Sequence, residues 1–481
     1  MLGKKVFSPK LMYNINLDLL VPEDDFYRKV ESLLDLRFIY KLSKEKYGKS
    51  GNPSLDPVVF FKIMLYGYLE NITSDRKLVR RISDSLSARL FIGYDLDEEL
   101  PWHSTISRTR QHLGEDIFEE VFNYILKICV ESGLVSGEHQ SIDSTLVRSN
   151  ASMDSLEKKA PIYSIEEYGE KLKENNEEKT ERKPGKKQKE KASNMTHRSK
   201  SDPDSRIAKK PGKPRDLYYK THFTVDEKHR IITDVLTTYA NRHDSTDLLE
   251  CVERSKNRIE ESGLVIKEIS ADKGYYSGAN LMGLENKEII AYIPHQKHRN
   301  TEGGLDKENF EYDREKDCFI CPAKKELTYS YTSKNGRRSY FAKKSECTKC
   351  PMKSLCTKSE RRAVTRSKYA DQHERGDIRM NSAKGKKAMR KRKSNSESIF
   401  AEGKAKHGLS RFNCRRLANT RKVSYLIAGV MNLKRLISEK SKKKKIQMVV
   451  KLNIVNQSKL TLFFENIFPF GFEKNIILRF N

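Results

Sequence analysis

The sequence predicts an α/β protein with an all-α N-terminal domain, a core built on a mixed β-sheet, and a small cysteine-bearing insertion within that core. Three observations carry this. Apolar residues recur at helical spacing as far as about residue 135 and then alternate as in strands. Helical stretches separate the later strands, as in sheets with parallel pairs. Five of the eight cysteines crowd into residues 318–356. At 481 residues the chain also exceeds what one hydrophobic core organises, so two or three domains, each with its own core, are expected.

Residues 24–135 read as mostly helical. Pro57 opens the run VVFFKIMLYGYLE, apolar on nearly all faces, as a central buried helix would be. Two amphipathic stretches follow, 75–92 and 103–113, joined by a loop with Gly93 and Pro101. The second begins HSTISRTRQHLG, and the pair resembles a helix-turn-helix. Ser104 or Thr105 would cap that helix, Arg108 and Arg110 would project toward phosphates, and Ser107, Arg108 and Gln111 would lie near base edges. Three helices packed for purely structural reasons would give the same pattern.

Strand patterning then takes over. HQSIDSTLVRS alternates; LYYKTHFTV and RIITDVLTTYA form a hairpin around residues 226–228; VIKEISAD and IIAYIP are two further β-rich runs. Helices at 244–261 and 278–286 separate the later strands, and a long basic helix lies near 386–406. Strand, strand, strand, helix, strand, helix, strand is the element order of a ribonuclease-H-like fold. Two segments interrupt it. Residues 156–215 are rich in Lys, Glu, Pro and Ser and too poor in large apolar residues to offset their ordering entropy, so a mobile, DNA-facing loop is expected. Residues 295–380 carry the cysteines. The expected divisions are 1–136, 137–294, the insertion 295–380, 381–437 with the long helix, and a basic and apolar tail, 438–481.

Lys and Arg total 94 against 66 Asp and Glu, a net charge of +28. Such an excess opposes compaction unless a polyanion neutralises it, and nucleic acid is the first candidate partner. Residues 1–20 lack the unbroken apolar core of a secretory signal. The apolar stretch 460–472 is broken by Glu465, Asn466 and Pro469 and falls short of the ~20 residues a membrane-spanning helix needs. A cytoplasmic protein without membrane contact is therefore expected.

Asp143 sits in mid-strand, where Asp is disfavoured and a carboxylate is costly without a cation. Asp272 ends another strand before the turn KGYYSG. Either alone could be a turn or cap residue; together they could hold a metal. Two glutamates compete for a third place. Lys393, Glu397 and Lys404 share one helical stripe, whereas Glu402 is spaced to pair with Lys406. An ordinary ion pair between Glu397 and Lys393 is the plainer alternative. Three converging carboxylates repel until divalent cations bind. Mg²⁺ (or Mn²⁺) suits such oxygen ligands, and two ions would support in-line displacement at phosphorus.

Cys318 and Cys321 form one Cys-x2-Cys pair, Cys347 and Cys350 another, and Cys356 follows. Four thiolates satisfy tetrahedral Zn²⁺, and a structural zinc can replace the missing core of a small insert, giving a zinc-ribbon-like unit. Spacing alone selects Cys318 over Cys356. Thiols that merely pack remain the alternative, and His295 and His298 read as surface or DNA-facing residues.

In PWHSTISRTRQHLG, IDSTLVRSNAS, ADKGYYS and SESIFAEGKAKHGLSR, taken in that order, the chain resembles bacterial insertion-sequence transposases of the DDE class, most closely the group numbered eleven-eighty-two. The resemblance spans nearly the whole chain. It implies Asp143, Asp272 and Glu397 as the catalytic triad and Lys393 and Lys404 as DNA contacts. Arg390 and Lys393 stand where the superfamily often has Tyr and Arg. It also implies the zinc set Cys321, Cys347, Cys350 and Cys356, recognition of terminal inverted repeats and target DNA as double-stranded partners, and a homo-oligomeric synaptic complex. A metal-dependent nuclease, or an inactive DNA-binding repressor derived from a transposase, are the alternatives.

Overall fold

A computed structural model describes residues 16–47, 54–159, 192–210, 212, 214–295 and 305–467, with side chains as far as residue 443. His298 and the middle of the 156–215 segment lie outside the described residues.

Among the described residues, eight α-helices precede the sheet: α1 (Leu17–Leu20), α2 (Phe26–Glu31), α3 (Phe38–Ser43), α4 (Pro57–Leu69), α5 (Asp75–Ser83), α6 (Leu86–Ile92), α7 (His103–His112) and α8 (Glu115–Glu131). Asp56 caps α4 by accepting the Val58 and Val59 N–H groups, with Pro57 at the first helical position. Phe60, Phe61, Ile63, Met64 and Leu65 are all buried, as the run of apolar residues required. The stretch expected as one helix over 75–92 is two, broken at Asp84. Gly93 closes α6 at φ 82°, a left-handed conformation that glycine adopts without strain. At α7 the cap position is Trp102, not Ser104 or Thr105, and no side chain caps the helix.

The sheet follows the expected element order. Its strands are β1 (His139–Arg148), β4 (Arg206–Ala208), β5 (Asp216–Asp226), β6 (Ile232–Tyr239), β7 (Glu268–Ala271) and β8 (Ile290–Tyr292); β2 (Leu156–Lys158) and β3 (His197–Ser199) form a separate two-stranded ribbon. The order across the sheet is β6-β5-β1-β7-β8, with β4 continuing beside the start of β5. β1 is antiparallel to β5 and parallel to β7, and β7 is parallel to β8, which is a ribonuclease-H-like mixed sheet. Helices α9 (Asp244–Glu260) and α10 (Gly278–Glu285) fall between β6, β7 and β8. Both described ends of the 156–215 segment are thus built into strands, contrary to the expectation of one continuous loop.

The insertion forms a five-stranded antiparallel sheet of β9 (Glu311–Asp313), β10 (Cys318–Ile320), β11 (Glu326–Thr332), β12 (Arg338–Ala342) and β13 (Ala363–Arg366), with short helices α11 (Lys344–Thr348) and α12 (Lys353–Cys356). Helix α13 (Ala370–Asn381) leads back to the core. There α14 (Ala383–Lys406) lies on the sheet and α15 (Leu417–Ile467) runs unbroken past the boundary expected at 437.

The insertion has a small core of its own, in Phe310, Phe319, Leu327, Tyr340, Ala342 and Val364. The N-terminal helices do not. They share one continuous apolar core with the sheet, because α15 packs between α8 and β6. A Cβ at Gly429 of α15 would lie 3.2 Å from Ile125 of α8, so the two helices approach closely there. Phe122 meets Tyr425 at 6.0 Å, and Asn432 both donates to and accepts from the backbone of Ile232 in the outermost strand, β6, whose edge is thereby buried.

Candidate active site and thiol pocket

Asp143 lies in mid β1, opposite Phe223 of β5. On the other side Ile142 pairs with Ala271 of β7, so the next step along the two parallel strands sets Asp143 beside Asp272. Asp143 is one-fifth exposed and accepts from Arg392 of α14 at 2.8 Å. Asp272 caps the turn after β7 by accepting the Gly274 N–H at 2.8 Å. Behind that turn the Tyr275 hydroxyl and His222 Nδ1 share a buried hydrogen bond of 2.7 Å, and His222 Nε2 lies 3.2 Å from Asp247 of α9.

A third acid stands here that sequence reasoning did not place. Asp244, at the start of α9, accepts from the Ser144 hydroxyl at 3.0 Å and pairs with Lys220 at 2.9 Å. A Cβ on Gly274 would lie 3.0 Å from both an Asp244 and an Asp272 oxygen, so the two carboxylates crowd one bare turn. Burial raises the Asp272 pKa above the usual carboxylate range, with Asp143 and Asp244 adding to it and Arg392 opposing. The signal that could have found Asp244 is an acid opening the helix that follows β6, five residues beyond the strand's end.

Helix α14 is tied to the sheet by Lys384 to Glu268 and by Lys391 to the buried Glu227 at 3.1 Å. Gly385, Ala388, Arg392, Ser396, Ile399 and Gly403 face inward. Glu397 is exposed on the adjoining stripe with Lys393, and no ion pair joins it to Lys393 among the described residues. On the same stripe Phe400 stacks on Phe223 at 5.1 Å. Burial holds the Lys404 pKa below its ordinary value, Lys210 adding to this and Asp143 opposing. Glu402 pairs with Arg435 at 2.6 Å and lies near His407, not with Lys406 as spacing suggested. Among the described residues no three His, Cys, Asp or Glu side chains are gathered closely enough to form a metal-binding group.

On α7, Ser104, Arg108 and Gln111 form an exposed stripe. Arg110 does not belong to it, which corrects the expectation that it reaches phosphates. Its guanidinium is turned inward, bonds Asp75 at 2.6 Å and is only 12% exposed. His295 is exposed, as expected; it stacks on Tyr276 at 4.4 Å and lies 3.4 Å from Asp377.

In the insertion Cys321, Cys347, Cys350 and Cys356 line one pocket, floored by Leu327 and Ala342. The Lys325 N–H donates to Cys321 Sγ at 3.3 Å. Burial raises the Cys356 thiol, its three neighbours adding to the shift and Arg362 opposing. Cys318 is not in the pocket; it is buried in β10, with Glu326 and Asp313 the first charges near it.

Residues 15–112 match the family described as a transposase domain, DUF772, and residues 320–437 match the family described as a transposase DDE domain. The chain is a DDE transposase, a polynucleotidyl transferase that catalyses DNA transposition. Its particular form joins the DUF772 transposase domain to the DDE domain in one chain. No curated protein matches it in sequence. Among solved structures it is similar to a piggyBac transposase synaptic complex with hairpin DNA, at 11% identity and TM-score 0.33, covering 87% of this chain and 74% of that one. A Mos1 transposase paired-end complex with the left transposon end is similar at 9% identity and TM-score 0.17, covering 53% and 64%. No helix among the described residues is long and apolar enough to cross a membrane.

Proposed function

We propose that this DDE transposase is encoded by an insertion sequence of the group numbered eleven-eighty-two. It would bind terminal inverted repeats through its N-terminal helices, cut at them, and join the freed 3′ ends to target DNA within a homo-oligomeric synaptic complex. The observation that carries this reading is the pair Asp143 and Asp272 on neighbouring parallel strands, with Arg392 seated on Asp143 where a cation belongs.

DDE transposases work with divalent metal ions, and the donor set suits Mg²⁺ or Mn²⁺. Burial, and after it Asp143 and Asp244, disfavour the Asp272 carboxylate, and a guanidinium already offsets Asp143. Asp143 and Asp272 would hold the ions. Glu397 would complete the set by a side-chain rotation, since its stripe neighbour Phe400 stacks on the residue opposite Asp143. Bound ions would activate a water or 3′-hydroxyl and stabilise the leaving oxygen. Lys404 and Lys393, flanking Glu397, would orient the phosphodiester, and Arg392 would release Asp143 as the ions arrive. Glu402 is committed to Arg435, which favours Glu397 over Glu402 as the third ligand. On α7, Arg108 and Gln111 would read DNA.

In the insertion we assign a structural Zn²⁺ to Cys321, Cys347, Cys350 and Cys356. Four thiols share one pocket, and one of them already accepts a backbone N–H that would stabilise its thiolate.

The test is a strand-transfer assay with a pre-cleaved repeat end, a supercoiled target and Mg²⁺. Joined product that disappears with chelator is expected. Degradation without joining would replace the transposase reading with a nuclease, and Mg²⁺-independent binding without either product would leave a repressor.

A further inference from the structure

The loop between α14 and α15 carries Arg411, Arg415 and Arg416, none of which has a carboxylate partner among the described residues. Elsewhere, largely buried arginines such as Arg110, Arg258, Arg366 and Arg435 are paired with acids. All three loop arginines are exposed. The loop itself is held firmly. Arg148 at the end of β1 bonds the loop backbone on both sides, donating to Ser410 O at 3.2 Å and accepting from Phe412 N at 2.9 Å. Asn413 donates to Thr73 O at 2.7 Å, and Asp202 accepts the Arg416 N–H at 2.9 Å. Arg416 keeps a left-handed φ of 74°, which a non-glycine residue holds only where its surroundings impose it.

The loop forms one wall of a groove whose other wall is α7. Ser107 and Gln111 face Asn150, Asn413 and Arg415 across it, and no carboxylate lines it. Arg411 donates to Asn150 Oδ1 at 3.4 Å and Arg415 to Asn150 O at 3.1 Å, which aims both guanidinium groups without neutralising them. Fixed main chain, guanidinium groups without acid partners and facing amides match a duplex, whose phosphates take Arg and whose base edges take amides.

We propose that this groove holds the transposon-end duplex, with Arg415 in its wall, and Arg411 beside it on the same loop, gripping the backbone opposite the reading face of α7. The proposal rests on the reading that α7 contacts DNA and adds a second, catalytic-core wall to that contact. It also sets a spacing. Five residues of β1 separate Asp143 from Arg148; at ~3.3 Å each this is roughly 17 Å, or about five base pairs of duplex at ~3.4 Å per step. The gripped phosphates therefore lie about five base pairs inside the cleaved bond.

The experiment measures affinity for a 30-base-pair terminal-repeat duplex across a salt series with full-length protein, comparing the unmodified chain with Arg411→Ala/Arg415→Ala. The log–log salt slope should fall by about two, and affinity near 0.1 M salt by about tenfold or more. A methylphosphonate placed about five base pairs from the cleaved bond should weaken the unmodified protein and leave the double variant unchanged. Gln111→Glu, on the opposite wall and exposed, should weaken binding whether or not the double variant folds. An unchanged slope in a folded double variant, or undiminished binding by Gln111→Glu, would overturn the proposal. If Arg108→Ala leaves affinity intact while the loop variant lowers the slope, α7 is not the reader although the loop still grips DNA, so the two failures are distinguishable.

Discussion

Around Asp143 and Asp272, position is set by a sheet covered on both faces and continuous with the largest core of the molecule. Around Cys321, Cys347, Cys350 and Cys356, it rests on six buried apolar residues and two helices of four or five residues. The first site stores repulsion in a frame rigid enough to bear it, with Arg392 as its counterweight. The second has little frame, so an ion there would have structure to supply. Metal removal should therefore cost the first region chemistry and the second region order.

The largest effect expected falls on the carboxylates. Asp143→Ala, Asp272→Ala or Glu397→Ala should each lower cleavage on the order of a thousandfold while DNA affinity stays within about twofold. Glu402→Ala should instead lower the melting temperature by releasing Arg435. The reverse pattern for the two glutamates would reassign the third ligand. Next, Cys350→Ala should empty the proposed zinc site and speed hydrogen exchange in β10–β12 by about a hundredfold, with β1 and β5 unaffected. Cys318→Ala should retain about one zinc per chain. Zinc lost from Cys318→Ala but kept in Cys356→Ala, read by elemental analysis, would restore the choice that spacing favoured.

A smaller effect follows from Arg392→Met. Removing the cation from beside Asp143 should destabilise chelator-treated protein by roughly 1–3 kcal/mol, and Mg²⁺ should recover most of it. No change in chemical denaturation would mean that Arg392 counterbalances nothing.

The smallest is a pH effect confined to the catalytic side. Burial depresses the pKa values of His139 and His373 in the fold, so the unfolded chain takes up their protons first. Their contribution to stability is present above the ordinary value of 6.5 and is lost as pH falls through it toward the depressed folded values. Asp272 has the opposite sign: burial, and after it Asp143, raises its pKa, so acidification relieves the penalty on its charged form. Melting in chelator should fall by a few degrees from about pH 7 to 5.5, and His139→Gln should flatten that slope.

Where local pattern and tertiary role coincide, the sequence was legible. Alternation and caps gave the strands in order, and an Asp inside a strand marked Asp143. The shared core was not legible, because α8 and α15 meet across some three hundred residues and each alone reads as an ordinary amphipathic helix. Arg110 looked like a DNA contact because its partner, Asp75, lies on another helix. The choice between Cys318 and Cys356 lay beyond spacing, since what separates them is which thiol the fold of β10 buries and which it turns to the pocket. Asp244 was overlooked as one more acid at a helix start, which is the commonest reason for an acid to be there.

The seating of α15 between α8 and β6 bears on how such a chain can diversify. A reading head joined by a linker can be exchanged whole for another, but here the helices near the reading face and the sheet that carries the acids are halves of one interior. Grafting a foreign N-terminal region would strip Val423, Leu426, Val430 and their neighbours of cover and leave an insoluble remainder. With α7 as the proposed reader, new end specificity would arise by substitution on its outer stripe, one exposed residue at a time, so related elements should differ in Arg108 and Gln111 sooner than in Phe118 or Phe122.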